Sequence, residues 1–435
     1  MRPDNFLPIS RRARLGTLGV TLLACVPLAL AAPAGAAPAG PAAPALTVEE
    51  QRLTGAVPRE ILRRSGFDDV APGFARALAR TRGPAQAERL VTDDGRRLWR
   101  RAVDRAQGRG PAGGDLSRDD DRPLYWARLG MTRALREWRP AFALDERARA
   151  ALLAKAERTT RGQDAIALPA GNAVKRVLIT GFDPFQLDAD ARRSNPSGAA
   201  ALALDGTTVE TPAGPARVEA VVFPVRWADF ADGTVERTLL PHFRPGPRRV
   251  DLFTTISQGR PGRFDVERTN GAWRGGYPDN ANVSRTETVP VPPGVPTVTP
   301  QPQWTTTSLP YGAITAARTG PFPVLDNTAV TEIPAGGTQE VDRPDGPTPG
   351  STARAGGGGD YLSNEIAYRA TLLRDAVRLK VPGGHLHTPV LRFGQGNTDP
   401  ATGQVTDPEF VRERLAITAQ IRSVIAVAVG SGTRS

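Results

Sequence analysis

At Lys175 the sequence changes rhythm, and that change limits what the chain can fold into. Lys175-Arg176-Val177-Leu178-Ile179-Thr180-Gly181 is a short β-rich run closed by glycine, the pattern of a strand buried on both faces of a parallel sheet. Val218–Val225 and Val250–Ile256 repeat it, and stretches such as Ser197–Leu204 between them suit crossover helices. Strand–helix alternation predicts an α/β fold: an open, mostly parallel twisted sheet flanked by helices. In such sheets a ligand lies at the carboxyl ends of the strands, so the loop after Ile179 is a candidate site.

The chain ahead of this domain reads as helical. With 435 residues there is room for two domains. Residues 46–166 form the first, a helical accessory region. Thr47-Val48-Glu49-Glu50 opens it with a capping-box pattern. Phe74–Arg80 and Glu146–Arg158 carry apolar residues at helical spacing. Leu98, Trp99, Trp126, Leu129, Met131, Leu135 and Trp138 supply a small core. The acidic run Asp119–Asp121 lacks the spaced ligands of a calcium loop and reads as a solvated turn. No chemistry is apparent in this region, which is best described as an accessory or pro-like module.

The domain over 175–435 is interrupted at about 281–359 by a stretch rich in Pro, Thr and Gly. It reads as a loop lengthened by insertion and partly mobile. Order returns at Tyr361, with a helix over Ser363–Leu379, a strand over His385–Leu391 and a closing helix over Glu409–Ala428.

Residues 1–36 read as an export signal. Arg11, Arg12 and Arg14 precede an uncharged run from Leu15 to Ala32, and small residues follow at Ala29, Ala31, Gly35 and Ala36. Ser10-Arg11-Arg12 leaves the twin-arginine route open beside the Sec route. A retained membrane anchor is the competing reading; Gly16, Gly19 and Pro27 argue for cleavage instead. Lipidation at Cys25 is disfavoured, because the apolar stretch continues past it. A flexible Pro/Ala linker over 37–45 follows. The expectation is a secreted or cell-envelope protein with no stable membrane span after cleavage. Cys25 is the only cysteine, so the mature chain would have no disulfide, thiolate metal site or cysteine nucleophile.

The net charge of +11 does not imply a nucleic-acid partner. Only Lys155, Lys175 and Lys380 among the 56 basic residues are lysines, and the arginines are scattered among Asp and Glu rather than forming a stripe interleaved with aromatics.

Histidine narrows the chemistry. The chain has three: His242, His385 and His387. A base working near neutral pH is most often His. His242, in Pro-His-Phe-Arg-Pro, reads as part of a surface turn. His385 and His387, two apart, share one face of a strand; a zinc reading lacks a third ligand nearby. Gly356–Gly359 leads through Asp360-Tyr361-Leu362 to Ser363 at a helix start, where free amides suit an oxyanion. The 24 residues from Ser363 to His387 fit a helix, a turn and a return strand. Glu267 is available to orient the imidazole. On spacing alone, Ser363 reads better as a plain helix cap.

The order of segments adds to this. Val177-Leu178-Ile179-Thr180-Gly181-Phe182-Asp183-Pro184-Phe185 with Asn195-Pro196-Ser197, then Phe223-Pro224-Val225, Gln258-Gly259-Arg260 through Val266-Glu267-Arg268, Pro278-Asp279-Asn280, Ser308-Leu309-Pro310, Ser363-Asn364-Glu365-Ile366-Ala367-Tyr368 and His387-Thr388-Pro389 occur in sequence. Together they resemble pyroglutamyl peptidase I (pyrrolidone-carboxylate peptidase) from about Lys175 to Ala428, outside the insertion. The resemblance implies a Cys/His/Glu site that releases N-terminal pyroglutamate from peptides, without cofactor or metal. Glu267 and His387 match; Ser363 stands at the cysteine position. Phe182 and Phe185 map to the aromatic residues that hold the pyroglutamyl ring, and Gln258 to the pocket lining. The departure at Ser363 leaves two readings. One is a Ser/His/Glu hydrolase acting on peptides with a blocked N-terminus. The other is a non-catalytic relative that binds N-terminal or lactam groups. A third class, an envelope interaction protein working through residues 46–166, also stays open, as does the oligomeric state.

Overall fold

The computed structural model describes residues 45–431. The export-signal and Cys25 readings, and nearly all of the linker, lie outside these residues.

Seven strands form the central sheet: β1 (Lys175–Phe182), β2 (Thr207–Thr211), β3 (Gly214–Phe223), β4 (Leu252–Gln258), β5 (Phe264–Glu267), β6 (Val324–Asn327) and β7 (Gly383–Thr388). They lie in the order β6-β5-β7-β4-β1-β3-β2. The four middle strands, β7, β4, β1 and β3, are mutually parallel. β2 runs antiparallel to β3, and β5 antiparallel to β7. The fold is thus α/β with a mostly parallel sheet, as the strand–helix rhythm predicts.

Burial on both faces explains the apolar run Val177-Leu178-Ile179 at the centre of β1. Val177 and Ile179 face a layer that includes Ile417 and Ile421 of the helix Pro408–Ser431; Leu178 faces the opposite layer with Leu239 and Ile366. Every residue of β1 after Lys175 is buried. Each fully buried aliphatic of this kind contributes roughly 1.5–3 kcal/mol. The closing helix is long and apolar enough by length and composition to cross a membrane; Ile417, Ile421, Val424 and Ile425 bury its inner face in the core.

The N-terminal region is helical, with long helices at Pro84–Ala106, Arg122–Glu137 and Glu146–Thr159. The capping box forms: Glu50 N donates to Thr47 Oγ1 at 3.1 Å, and Thr47 N to Glu50 Oε2 at 2.9 Å. The expected core residues are all buried, but their core is not separate. Leu98, Trp99, Met131 and Leu135 belong to the same apolar cluster as Val177, Ile179 and Ile421.

Two sequence readings need correction. Asp119–Asp121 are buried, not solvated. Arg414 Nε donates to Asp119 at 2.6 Å, the Arg122 guanidinium is forked onto Asp120, and Asp121 accepts from Ser194 Oγ and, at 2.9 Å, from Asn195 N. Burial, with the Asp120 charge beside it, pushes the Asp121 carboxyl up to about 7. The run reads as a surface turn because three of its partners, Ser194, Asn195 and Arg414, lie more than 70 residues away. His242, in turn, is in the last turn of the helix Thr234–Phe243 despite the proline before it. Its carbonyl accepts Val250 N at 3.0 Å, and burial lowers its pKa.

The insertion is also more regular than expected. It supplies β6 to the central sheet and a small antiparallel sheet of Val330–Ile333, Val341–Arg343 and Thr352–Ala355. These strands are three or four residues long and half exposed, so their periodicity is too short to read.

Candidate active site

β7 carries both histidines into the sheet between β4 and β5. His385 lies opposite Glu267, and His387 opposite Asp265 on one side and Ser257 on the other. Glu267 is therefore a diagonal neighbour of His387, within reach across the pair. Its Oε1 lies 2.7 Å from His387 Nδ1. The carboxylate is fully buried and the imidazole nearly so. The other carboxylate oxygen accepts from Asn327 Nδ2 at 2.6 Å, and the same amide donates to Gly357 O at 3.0 Å. Asn327 is the residue that sequence reasoning missed, at the end of β6 inside the supposed loop.

The glycine run packs directly on this pair. A Cβ on Gly357 would collide with Glu267 Oε2, and one on Gly358 would lie 3.1 Å from His387 Cε1. On the opposite side, a Cβ on Gly259 would sit 2.8 Å from His387 Cβ. Close approach requires glycine at 357 and 259 and leaves little room at 358. Gly356 and Gly359 bond to each other in both directions at 2.9 Å, closing the turn that feeds the next helix.

That helix, Leu362–Ala376, begins one residue before Ser363. Asn364 fixes its start: its side chain donates to Gly271 O at 2.8 Å and accepts from Gly271 N at 2.9 Å. Beneath it Glu365 is forked between Arg274 and Arg369, all buried. The first-turn amides of such a helix have no acceptor within it, which leaves them available to a developing oxyanion. Ser363 Oγ donates to Gly358 O at 3.0 Å, so Ser363 and His387 both abut Gly358.

Ser363, Phe182, Phe185 and Gln258 line one narrow cavity, together with Asn195 and Tyr361. It holds about 30 Å³ of water-accessible space, so a bound ring has to part its walls. Phe182 is also a core residue, stacked on Phe230 at 6.1 Å. Phe185 and Tyr361 pack together at 5.9 Å, with the Tyr361 hydroxyl donating to Pro278 O.

His385 does a different job. Its Nδ1 is 2.7 Å from Thr255 Oγ1 and its Nε2 2.8 Å from Ser257 Oγ. Burial, and then the neighbouring His387, push its pKa well below the ordinary imidazole value. Among the described residues no group of three or more His, Cys, Asp and Glu is arranged to hold a metal. A depressed folded-state pKa means that the unfolded chain takes up the proton first. The stability contributed is full above about pH 6.5 and is lost as the pH falls, by up to about 1.4 kcal/mol per pH unit. Urea unfolding between pH 7.5 and 5 should therefore show a shallower acid limb in His385→Gln than in wild type; equal slopes would refute the assignment.

An α/β protein with a carboxylate-oriented histidine at the end of a parallel strand is the class that fold and geometry define. The chain matches the family model of the PA0049 N-terminal domain over residues 31–157 and that of the PA0049 C-terminal domain over 176–301 and 322–392. The uncharacterized protein PA0049 of Pseudomonas aeruginosa is 36% identical over 89% of each chain. The chain belongs to the PA0049 family. Among solved structures, a mutant pyrrolidone carboxyl peptidase from Pyrococcus furiosus is 22% identical, covering 59% of this chain and 99% of its own, with a TM-score of 0.39. Pyroglutamyl peptidase I of Bacillus amyloliquefaciens is 19% identical over 59% and 97% of the two chains, with a TM-score of 0.38.

Proposed function

We propose that this protein is an exported, pyroglutamyl-peptidase-like hydrolase that removes pyroglutamate, or a related group, from peptide N-termini. The observation that carries the reading is the 2.7 Å contact between His387 Nδ1 and buried Glu267, with Ser363 at a helix start beside the same glycine. A carboxylate on Nδ1 keeps the proton there and leaves Nε2 as the base. In the proposed cycle Ser363 Oγ turns from Gly358 O to His387, loses its proton to Nε2 and attacks the amide carbonyl carbon. The helix amides stabilise the oxyanion. The imidazolium then gives its proton to the departing amine, and water, activated by the same histidine, releases the acid and regenerates the serine. Phe182 and Phe185 would hold the lactam ring, and Gln258 its polar edge. No cofactor enters the scheme. The compartment is secreted or cell-envelope, reached by the Sec or twin-arginine route.

A hydroxyl demands closer alignment with its base than a thiolate does. The Ser363 hydroxyl is committed to Gly358 O, which favours the second reading, a non-catalytic binder of N-terminal or lactam groups. The test is hydrolysis of a pyroglutamyl chromogenic amide by the purified protein. Turnover in wild type and none in Ser363→Ala supports the hydrolase. Equal silence of both, with saturable calorimetric binding of a pyroglutamyl peptide, supports the binder instead.

A further inference from the structure

We infer that the N-terminal helical region is part of the binding site, acting through Arg128, Arg161 and Asp121 as positioning residues for the loop that walls the cavity. The inference rests on the cavity beside Ser363 being the ligand site, as proposed above.

Asp183 lies within the loop, between Phe182 and Phe185. Its Oδ2 accepts from Arg128 Nη2 at 3.0 Å, Arg161 Nε at 3.1 Å and Arg161 Nη2 at 2.7 Å. Both arginines belong to the N-terminal region and are no more than 1% exposed. Asp183 is pinned through its backbone as well: its amide donates to Phe223 O at 3.0 Å, and its carbonyl accepts Asn195 Nδ2 at 3.0 Å. Asn195, another lining residue, is held from the same region, because its amide donates to Asp121 Oδ2 at 2.9 Å and Ser194 Oγ donates to Asp121 Oδ1. Phe185 and Asn195 thus lie on two segments hydrogen-bonded to the N-terminal region, and Phe182, at the end of β1, directly precedes the pinned Asp183.

The choice of charge is informative. A buried ion pair adds little net stability over apolar groups of the same volume, since desolvation offsets the Coulomb gain. What it does add is direction: three donors converging on one oxygen leave the carboxylate a single orientation. A loop held this way offers a preformed wall to ground state and transition state alike. Loosening it should weaken binding without slowing the bound reaction.

The test compares Asp183→Asn and Arg161→Lys with Leu98→Ala, a cavity-forming change in the shared core that touches neither loop. With the pyroglutamyl amide as probe, KM should rise about tenfold or more in the first two while kcat stays within about threefold. Leu98→Ala should lower the melting temperature and leave KM unmoved. Hydrogen exchange gives a readout independent of turnover: amides of residues 182–198 should exchange faster in Arg161→Lys and at the wild-type rate in Leu98→Ala. Unchanged exchange in Arg161→Lys, or an equal rise of KM in Leu98→Ala, overturns the inference. Faster loop exchange in a protein whose wild type neither binds nor cleaves the probe keeps the positioning role and removes the peptidase reading. If Asp183→Asn does not fold, Arg161→Lys carries the same comparison.

Discussion

Glu267→Gln should lower kcat on a pyroglutamyl amide by about 10⁴-fold while leaving the fold intact, the scale expected when the base is forced into the wrong tautomer. The direction follows from Asn327. Its Nδ2 donates to Glu267 Oε2 at 2.6 Å and to Gly357 O at 3.0 Å, so it presents a donor to the side chain at 267. A glutamine there must turn its carbonyl oxygen to Asn327 and its NH₂ to His387 Nδ1. The imidazole then accepts at Nδ1 and carries its proton on Nε2, where it can no longer receive the Ser363 proton. Shape and burial are nearly unchanged, so thermal stability should fall little. Kinetics together with nitrogen NMR of His387 would check this. A variant that keeps more than about a tenth of wild-type turnover would show that Glu267 does not set the tautomer.

Gly357→Ala should damage both stability and activity. The new methyl meets Glu267 Oε2 and has Asn327 Nδ2 at 3.3 Å. The backbone cannot retreat easily, because Gly357 N donates to Thr269 O at 2.8 Å and Gly357 O accepts from Asn327. The carboxylate has to give, and with it the His387 contact. Overpacking of this kind costs roughly 1–3 kcal/mol, and displacing a catalytic group by about 1 Å costs about 10²-fold in rate. Gly359→Ala is the comparison: nothing lies near its Cβ, but its φ of +83° imposes backbone strain instead. Wild-type kinetics in Gly357→Ala would contradict the packing described for the site.

The parts of the molecule that were legible in the sequence are those set by local pattern. β1 announces itself because both of its faces are buried, which makes Val177-Leu178-Ile179 an unbroken apolar run. His387 stands out because the chain has so few bases to offer. Its pairing with Glu267 came from the order of segments and was not visible in spacing, since β5 is only four residues long and joins β7 from 120 positions away. What stayed hidden is non-local. Asn327 sits on a half-exposed edge strand amid proline and threonine, where nothing in the local pattern marks a residue that completes the site. Asp119–Asp121 look like a hydrophilic turn until Arg414, Ser194 and Asn195 arrive from distant segments. The same limit made the helical region look chemically idle, because its contribution is exerted through Asp183 and Asn195 and carries no motif of its own.

The apolar cluster that joins Trp99 and Met131 to Ile179 and Ile421 also bears on how this chain is made. A ribosome delivers the helices first, but the surfaces they turn to Ile179 and Ile421 have no partner until the strands and then the closing helix follow. Asp119 waits for Arg414 across 295 positions. Contacts of such long sequence separation form late and slowly, so the leading helices should remain open and protease-sensitive until the last helix is synthesised. A product truncated before Arg414 would lack the partner of a buried carboxylate and should be cleared rather than accumulate as a stable fragment.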